Sequence, residues 1–139
     1  MTFFAKLHPM IVHFPVGLLT SGVIFEIYGV LRNDEVAETA GRYNIRFGFW
    51  CLFPVLLVGF LGMISLENTE EFTSFLSSHL TFALLTAGLF FSAMLVSKYL
   101  RQSWGKALYL IIIGVGGICV LTTGYFGGEL VHRFGVSKH

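Results

Sequence analysis

Hydrophobic residues along this chain form four long runs that are separated by shorter polar segments. The runs cover approximately residues 10–31, 43–66, 78–100 and 104–130. Each run can cross about 30 Å of hydrocarbon, because a helix rises about 1.5 Å per residue and roughly 20 residues therefore span that thickness. The pattern predicts one all-α domain, an integral membrane four-helix bundle with antiparallel up-down-up-down topology.

The composition supports this interpretation. Hydrophobic residues make up 55% of the chain and charged residues only 12%, whereas soluble domains carry about 25% charged residues. The protein is therefore expected to lie in the membrane in contact with lipid. A net charge of +1 argues against nucleic acid as a partner, since binding to nucleic acid is driven largely by basic residues on phosphates.

Basic residues are unevenly divided between the two ends of the predicted bundle. The loops after the first and third runs carry six of them, namely Arg32, Arg42, Arg46, Lys98, Arg101 and Lys106. The other end carries Lys6, Arg133 and Lys138. Because cytoplasmic loops are enriched in Lys and Arg, we expect the six-residue end in the cytoplasm and both termini outside.

Four histidines fall at the predicted outer end of the bundle. His8 and His13 enter the first run, His79 begins the third and His132 closes the fourth, while His139 is the last residue. A buried imidazole needs hydrogen-bond partners, and ionisable residues in membrane segments mark functional sites by default. The four side chains, which come from three helices, therefore form a candidate site.

Imidazoles from facing helices commonly hold haem iron or another metal in membrane bundles. We expect one or two haems b, with His13 and His79 as an axial pair. His8 and His132 would serve a second haem or hydrogen-bond the propionates of the first. His8 and His13 are about 140° apart on a helix and so cannot share a face. This hypothesis favours an electron-transfer or anchoring subunit over a stand-alone catalyst.

Several neighbours of the histidines fit the haem hypothesis. Gly124, Gly127 and Gly128 would form a surface without side chains that a helix or a flat macrocycle can approach. Arg133 and Lys6 could neutralise propionates, and Glu129 could orient His132. The alternative is a non-redox structural subunit whose histidines bind Zn or Cu, or only form hydrogen bonds within the bundle.

Other residues receive structural interpretations. Glu26 lies near the predicted cytoplasmic end, where Arg42 or Arg46 can pair with it; the alternative is a role in a proton relay. The aromatic residues near the ends of the runs are typical of the belts found at membrane–water interfaces; they are Trp50, Tyr99, Trp104 and Tyr109. No nucleophile–base arrangement or phosphate-binding loop is evident, and four helices would suffice for a transporter only if the chain forms homo-oligomers.

The motifs at both ends of the chain resemble those of a family of predicted four-helix bacterial membrane proteins, domain of unknown function 2231. The opening motif consists of His8, Pro9, Val12, His13, Phe14 and Pro15, and the closing motif of Gly127, Gly128, Leu130, Val131, Gly135 and Val136. His132 stands where the family pattern usually has an aromatic residue. The resemblance implies a bacterial inner-membrane protein and a redox partner, such as a c-type cytochrome, a Rieske-type protein or a quinone.

Overall fold

The computed structural model describes residues 3–64 and 69–134, and these are almost entirely helical. The helices are α1 (Phe3–Ile11), α2 (His13–Arg32), α3 (Glu35–Met63), α4 (Glu70–Val96) and α5 (Ser103–His132), with a 3-10 turn at Ser97–Tyr99. Four stretches are long and apolar enough to cross a membrane. They are Phe3–Arg32, Glu35–Met63, Glu70–Tyr99 and Ser103–His132. The predicted all-α fold with four long apolar helices is confirmed.

The first span is interrupted at Val12, between α1 and α2. Pro9 lies inside α1 and Pro15 lies in the first turn of α2. Because proline has no N–H, Pro15 cannot donate to the carbonyl of Ile11, and the regular ladder of helical hydrogen bonds is broken at this point. The backbone still continues in the same direction, since the Val12 N–H donates to the His8 carbonyl at 3.1 Å.

Helix α3 begins at Glu35, earlier than the predicted start near residue 43. Asp34 caps it by accepting hydrogen bonds from the backbone N–H groups of Val36 and Ala37. Asn33 ends α2 in the left-handed conformation, which asparagine tolerates better than most residues. The expected polar loop is therefore a turn of two residues. A helix of about 30 residues is roughly 45 Å long and carries its polar ends beyond the hydrocarbon.

Helix α4 also begins earlier than predicted, at Glu70 instead of near residue 78. The Thr69 side chain caps it by accepting a hydrogen bond from the Phe72 N–H, and acidic Glu70 and Glu71 occupy the favourable first turn. Some residues considered above lie outside the described ranges. They are Gly135, Val136, Lys138 and His139.

The helices associate as two antiparallel hairpins. In the first hairpin α1 and α2 pack on α3, and in the second α4 packs on α5. Ala5 approaches Gly62 at one end of the first hairpin, and Gly29 approaches Glu38 at the other. In the second hairpin Phe72 contacts Phe134, whereas Phe90 lies against Gly116 further along both helices. Contacts of α2 with α5 and of α3 with α4 join the hairpins.

An apolar core lies between the two ends of the bundle. Leu19, Phe90 and Ile113 are completely buried within it. Large hydrophobic side chains on the outer surface are exposed, among them Leu31, Phe60, Leu84, Ile111 and Ile118. A soluble protein of this size rarely exposes so continuous an apolar surface. The surface is suited to lipid, as expected for a membrane bundle.

Candidate site formed by two histidines on opposite hairpins

His8 reaches from α1 to the backbone of α3. Its Nδ1 lies 3.1 Å from the carbonyl oxygen of Val55. Gly59 follows Val55 by one helical turn, and a Cβ at that position would lie 2.8 Å from Cε1 of His8. Such a contact is too short for two carbon atoms. The glycine therefore makes room for the ring beside the carbonyl to which it bonds.

His79 is held in the same way within the second hairpin. Its Nδ1 lies 3.0 Å from the carbonyl oxygen of Thr123 on α5. Gly127 follows Thr123 by one turn, and a Cβ there would lie 3.2 Å from Cε1 of His79. Each hairpin thus supplies one imidazole from its first helix. On the second helix of the hairpin, a backbone carbonyl accepts a hydrogen bond from the imidazole, and a glycine four residues later leaves room for the ring.

These hydrogen bonds determine the tautomer of both rings. A backbone carbonyl can only accept, so Nδ1 must carry the hydrogen in both His8 and His79. In a neutral ring the lone pair then resides on Nε2. Among the described residues, no hydrogen bond to either Nε2 is present. Metal-binding histidines commonly have this arrangement, with one nitrogen donating to a carbonyl and the other free to ligate.

The two imidazoles contact each other edge to face across the interface between the hairpins. Their ring centroids are 6.3 Å apart and their planes are perpendicular. Two imidazoles on opposite sides of one metal, with metal–nitrogen distances near 2 Å, would have centroids about 6 Å apart, against about 5 Å in a tetrahedral site. The observed centroid separation is close to the first of these two distances. Within residues 3–64 and 69–134, no group of three or more His, Cys, Asp or Glu side chains could hold a metal ion.

A family model described as a predicted membrane protein, DUF2231, matches residues 5–139. The chain belongs to the DUF2231 family. No curated protein and no solved structure matches it. Both imidazoles lie inside the matched range.

The other two candidate histidines of this DUF2231 chain lie away from the pair. His13 is exposed at the start of α2, and His132 is exposed at the end of α5. Neither side chain forms a hydrogen bond or ring contact within the described part of the protein. His8 and His13 point in different directions, as their spacing predicted. The ring beside His79 is that of His8, whereas the sequence analysis assigned this place to His13.

Arg133 is neutralised by carboxylates of the protein itself. It pairs with Glu71 and lies 4.0 Å from Glu129. Its guanidinium group also covers the ring of Phe75, 5.2 Å from the centroid. Glu129 therefore contacts Arg133, whereas the sequence analysis expected it to orient His132. Through these two ion pairs, Arg133 links the start of α4 to the end of α5.

The glycines of α5 differ in their surroundings. Gly127 lies against His79, as described above. Gly124 and Gly128 have open space where a Cβ would stand, with no heavy atom within 4 Å. Close helix packing instead occurs nearer the middle of α5, where Gly116 meets the ring of Phe90 and Gly117 meets Val23.

Sequence reasoning missed the seating of the rings and the surroundings of Tyr109. Nothing in the sequence around Gly59 pointed to a contact with His8. Once the structure is known, the sequence shows that Gly59 follows Val55, and Gly127 follows Thr123, by the same four residues. The assignment of Tyr109 to an interfacial belt is wrong, because its side chain is buried and donates a hydrogen bond to Glu26 at 3.0 Å. Trp50, Tyr99 and Trp104 are exposed, with Trp50 in the middle of α3.

Proposed function

We propose that this DUF2231 protein is a membrane haem b protein that acts as an electron-transfer or anchoring subunit, in which His8 and His79 would hold the haem iron. The observation that supports it is the equivalent seating of two imidazoles from two hairpins on backbone carbonyls, with their ring centroids 6.3 Å apart. His8 replaces His13 in the proposed pair because its ring, and not that of His13, lies beside His79.

The number of available ligands favours haem over zinc. A structural zinc ion takes four protein ligands and a catalytic one takes three. A haem iron takes four nitrogens from the porphyrin and needs only two from the protein. The described residues bring together two imidazoles and no third ligand at this point. The donor set therefore fits a macrocyclic cofactor, although other two-ligand metals such as copper remain outcomes of the test.

The backbone of the bundle prepares both ligands. The carbonyls of Val55 and Thr123 hold the Nδ1 hydrogens, which sets ring rotation and leaves Nε2 as the ligating atom. Hydrogen bonds of this kind also make an imidazole a stronger donor to metal. When bound, haem would supply one-electron exchange, and the protein would adjust its potential through these ligands and through burial.

The proposal includes a location and a class of partner. The positive-inside rule favours an inner-membrane protein with the histidines near the outer face and both termini outside. An outer-face carrier of the c-type cytochrome or Rieske type, or a quinone in the bilayer, would then exchange electrons at the histidine end. The exposed surface beside the site also leaves room for a second copy of the chain.

The test is the visible absorption spectrum of the protein purified from haem-replete cells. We expect a Soret band, with α and β bands after reduction. His8→Ala and His79→Ala should each abolish these bands, because each removes one of two axial ligands. His13→Ala and His132→Ala are matched controls that should retain them, since both side chains are exposed.

The opposite results would each reject part of the proposal. Loss of the bands in His13→Ala but not in His8→Ala would restore His13 as the partner of His79. A colourless wild-type protein that contains copper or zinc by elemental analysis would replace haem with that metal. A colourless protein without metal would leave the histidines as hydrogen-bonding groups that tie α1 to α3 and α4 to α5.

A further inference from the structure

A second polar cluster lies at the opposite end of the bundle from the histidines. Glu26 on α2 is 2% exposed and accepts a hydrogen bond of 3.0 Å from the Tyr109 hydroxyl of α5. Three charged side chains surround this pair: Arg42 and Glu38 of α3 and Lys106 of α5. The cluster joins three helices, and the proposed redox site does not use it.

The cationic donors of the cluster bind Glu38 more closely than Glu26. Glu38 lies 3.5 Å from a guanidinium nitrogen of Arg42 and 3.2 Å from the ammonium nitrogen of Lys106. Glu26 lies 3.7 Å from Arg42, beyond hydrogen-bond distance. Within the described residues, the only side chain that donates a hydrogen bond to Glu26 is the neutral Tyr109. Glu26 is therefore the more deeply buried carboxylate and also the less well compensated one.

An ionised carboxylate can accept about four hydrogen bonds, and burying it with few of them carries a large free-energy cost. A proton on the second oxygen of Glu26, which lies 3.7 Å from Arg42, removes the negative charge and so lowers that cost. With Glu26 neutral, Arg42 and Lys106 pair with Glu38, which already contacts both. We propose that Glu26 is a reversible proton-binding site of this protein, in which Tyr109 holds one carboxyl oxygen and the proton occupies the other.

A small cavity lies beside the Glu26 cluster, on the side of the basic loops. The cavity has a volume of about 10 Å³ beside Arg42 and Tyr109, which is close to the space that one water molecule needs. Its lining also includes Ser97 and the exposed Arg46. A water molecule there would have polar partners on several sides. Towards the histidine end, the buried apolar layer of Leu19, Phe90 and Ile113 closes the bundle.

Proton binding changes the net charge of the cluster by one unit. With Glu26 ionised, the two carboxylates match the charges of Arg42 and Lys106, and a bound proton gives the cluster one net positive charge. Arg46, which lines the same cavity, adds a cation on the exposed side. Glu26 lies about 27 Å from His8 at 1.5 Å of rise per residue. The proton site is therefore independent of the proposed haem.

The test is infrared spectroscopy of the full chain in lipid nanodiscs, titrated from mildly acidic to mildly alkaline pH. We expect the C=O stretching band of a protonated carboxyl, separate from the amide bands, to appear as pH falls. Glu26→Gln should remove this band. Glu35→Gln is the matched control, since Glu35 is an exposed glutamate at the same end of the bundle, and it should keep the band.

A second variant keeps the proposal testable if Glu26→Gln does not assemble. Tyr109→Phe removes the hydrogen bond to the carboxyl, so the band should remain and shift to higher frequency. Carbon-13 labelling of glutamate should shift the same band to lower frequency in the wild-type protein. A titrating band that is unchanged in Glu26→Gln, or in Tyr109→Phe when Glu26→Gln cannot be made, would overturn the proposal. The absence of any titrating band would do so as well.

Discussion

At the scale of single residues, the site depends on the absence of a side chain as much as on the imidazoles. The ring of His8 lies where a Cβ at position 59 would clash with it, and the ring of His79 lies in tight contact with the place of a Cβ at position 127. At both positions a Cβ would take up space that the imidazole ring occupies beside the carbonyl oxygen. The glycines therefore decide the direction in which each Nε2 is presented.

The first prediction at this scale concerns Gly59→Ala. The added methyl group should displace the His8 ring and remove its hydrogen bond, a cost of about 0.5–1.5 kcal/mol that is largely offset by the better helix propensity of alanine, about 1 kcal/mol. The free energy of unfolding in detergent should therefore change by less than about 1 kcal/mol. The Soret absorbance per mole of protein should fall strongly.

Gly124→Ala is the control for that experiment, since a Cβ at position 124 meets no atom within 4 Å. Both its stability and its haem content should match or exceed those of the wild-type protein. Full haem content in Gly59→Ala would show that the seating of His8 is not required for binding.

At the scale of secondary-structure elements, α2 and α3 form the tightest crossing of the bundle. Gly22 and Gly29 on α2 face α3, and Gly41 and Gly48 on α3 face α2. Both pairs are seven residues apart, so each repeats on one helix face. Small residues allow backbones to approach closely in membranes, where van der Waals packing drives helix association. This crossing also positions Glu26 against α3.

Gly41→Ala should be far more damaging than Gly59→Ala. A Cβ at position 41 would lie 2.8 Å from the backbone nitrogen of Glu26 and 2.8 Å from the carbonyl oxygen of Gly22. Because backbone atoms cannot rotate away, the two helices must separate, and we expect a loss of about 3 kcal/mol or more in unfolding free energy. Unfolding of the purified Gly41→Ala protein in detergent measures this loss.

Gly88→Ala is the matched control for this crossing, because position 88 is a helical glycine with open space around it. Its free energy of unfolding should equal or exceed that of the wild-type protein. Equal stability of the Gly41→Ala and Gly88→Ala variants would contradict the close approach of α2 and α3.

At the scale of the whole molecule, two helix hairpins bring different chemistry to opposite ends of one bundle. The imidazoles meet at the end where α1 and α4 begin, and the Glu26 cluster lies at the end with the basic loops. The apolar core separates them. Since exposed apolar side chains surround the bundle, lipid covers its outer surface and the two polar sites can exchange with water only at their own ends.

The sidedness of the bundle can be tested by cysteine labelling in intact cells. In a background with Cys51 and Cys119 replaced by alanine, Thr73→Cys places an exposed thiol at the histidine end and Gln102→Cys places one at the basic end. A membrane-impermeant maleimide should label Thr73→Cys in intact spheroplasts and Gln102→Cys only after permeabilisation, as the positive-inside rule predicts. The reverse pattern would put the basic loops outside.

The lengths and ends of the helices show how far local information extends. The four apolar runs predicted four spans correctly, because crossing a bilayer requires about 20 apolar residues wherever they occur. The ends differed at α3 and α4, since Asp34 and Thr69 cap helices that continue through polar residues. Apolar length reports the part of a helix within lipid, whereas a cap determines where the helix begins.

The sequence by itself determined the fold class, the four spans and the gathering of histidines at one end. These follow from period, length and spacing along single helices. Only the tertiary structure decided that His8 lies beside His79, that Tyr109 is buried against Glu26, and that Gly59 and Gly127 seat the rings. The physical reason is that each of these contacts joins different helices, and the relative rotation of packed helices follows from the fit of all their side chains together.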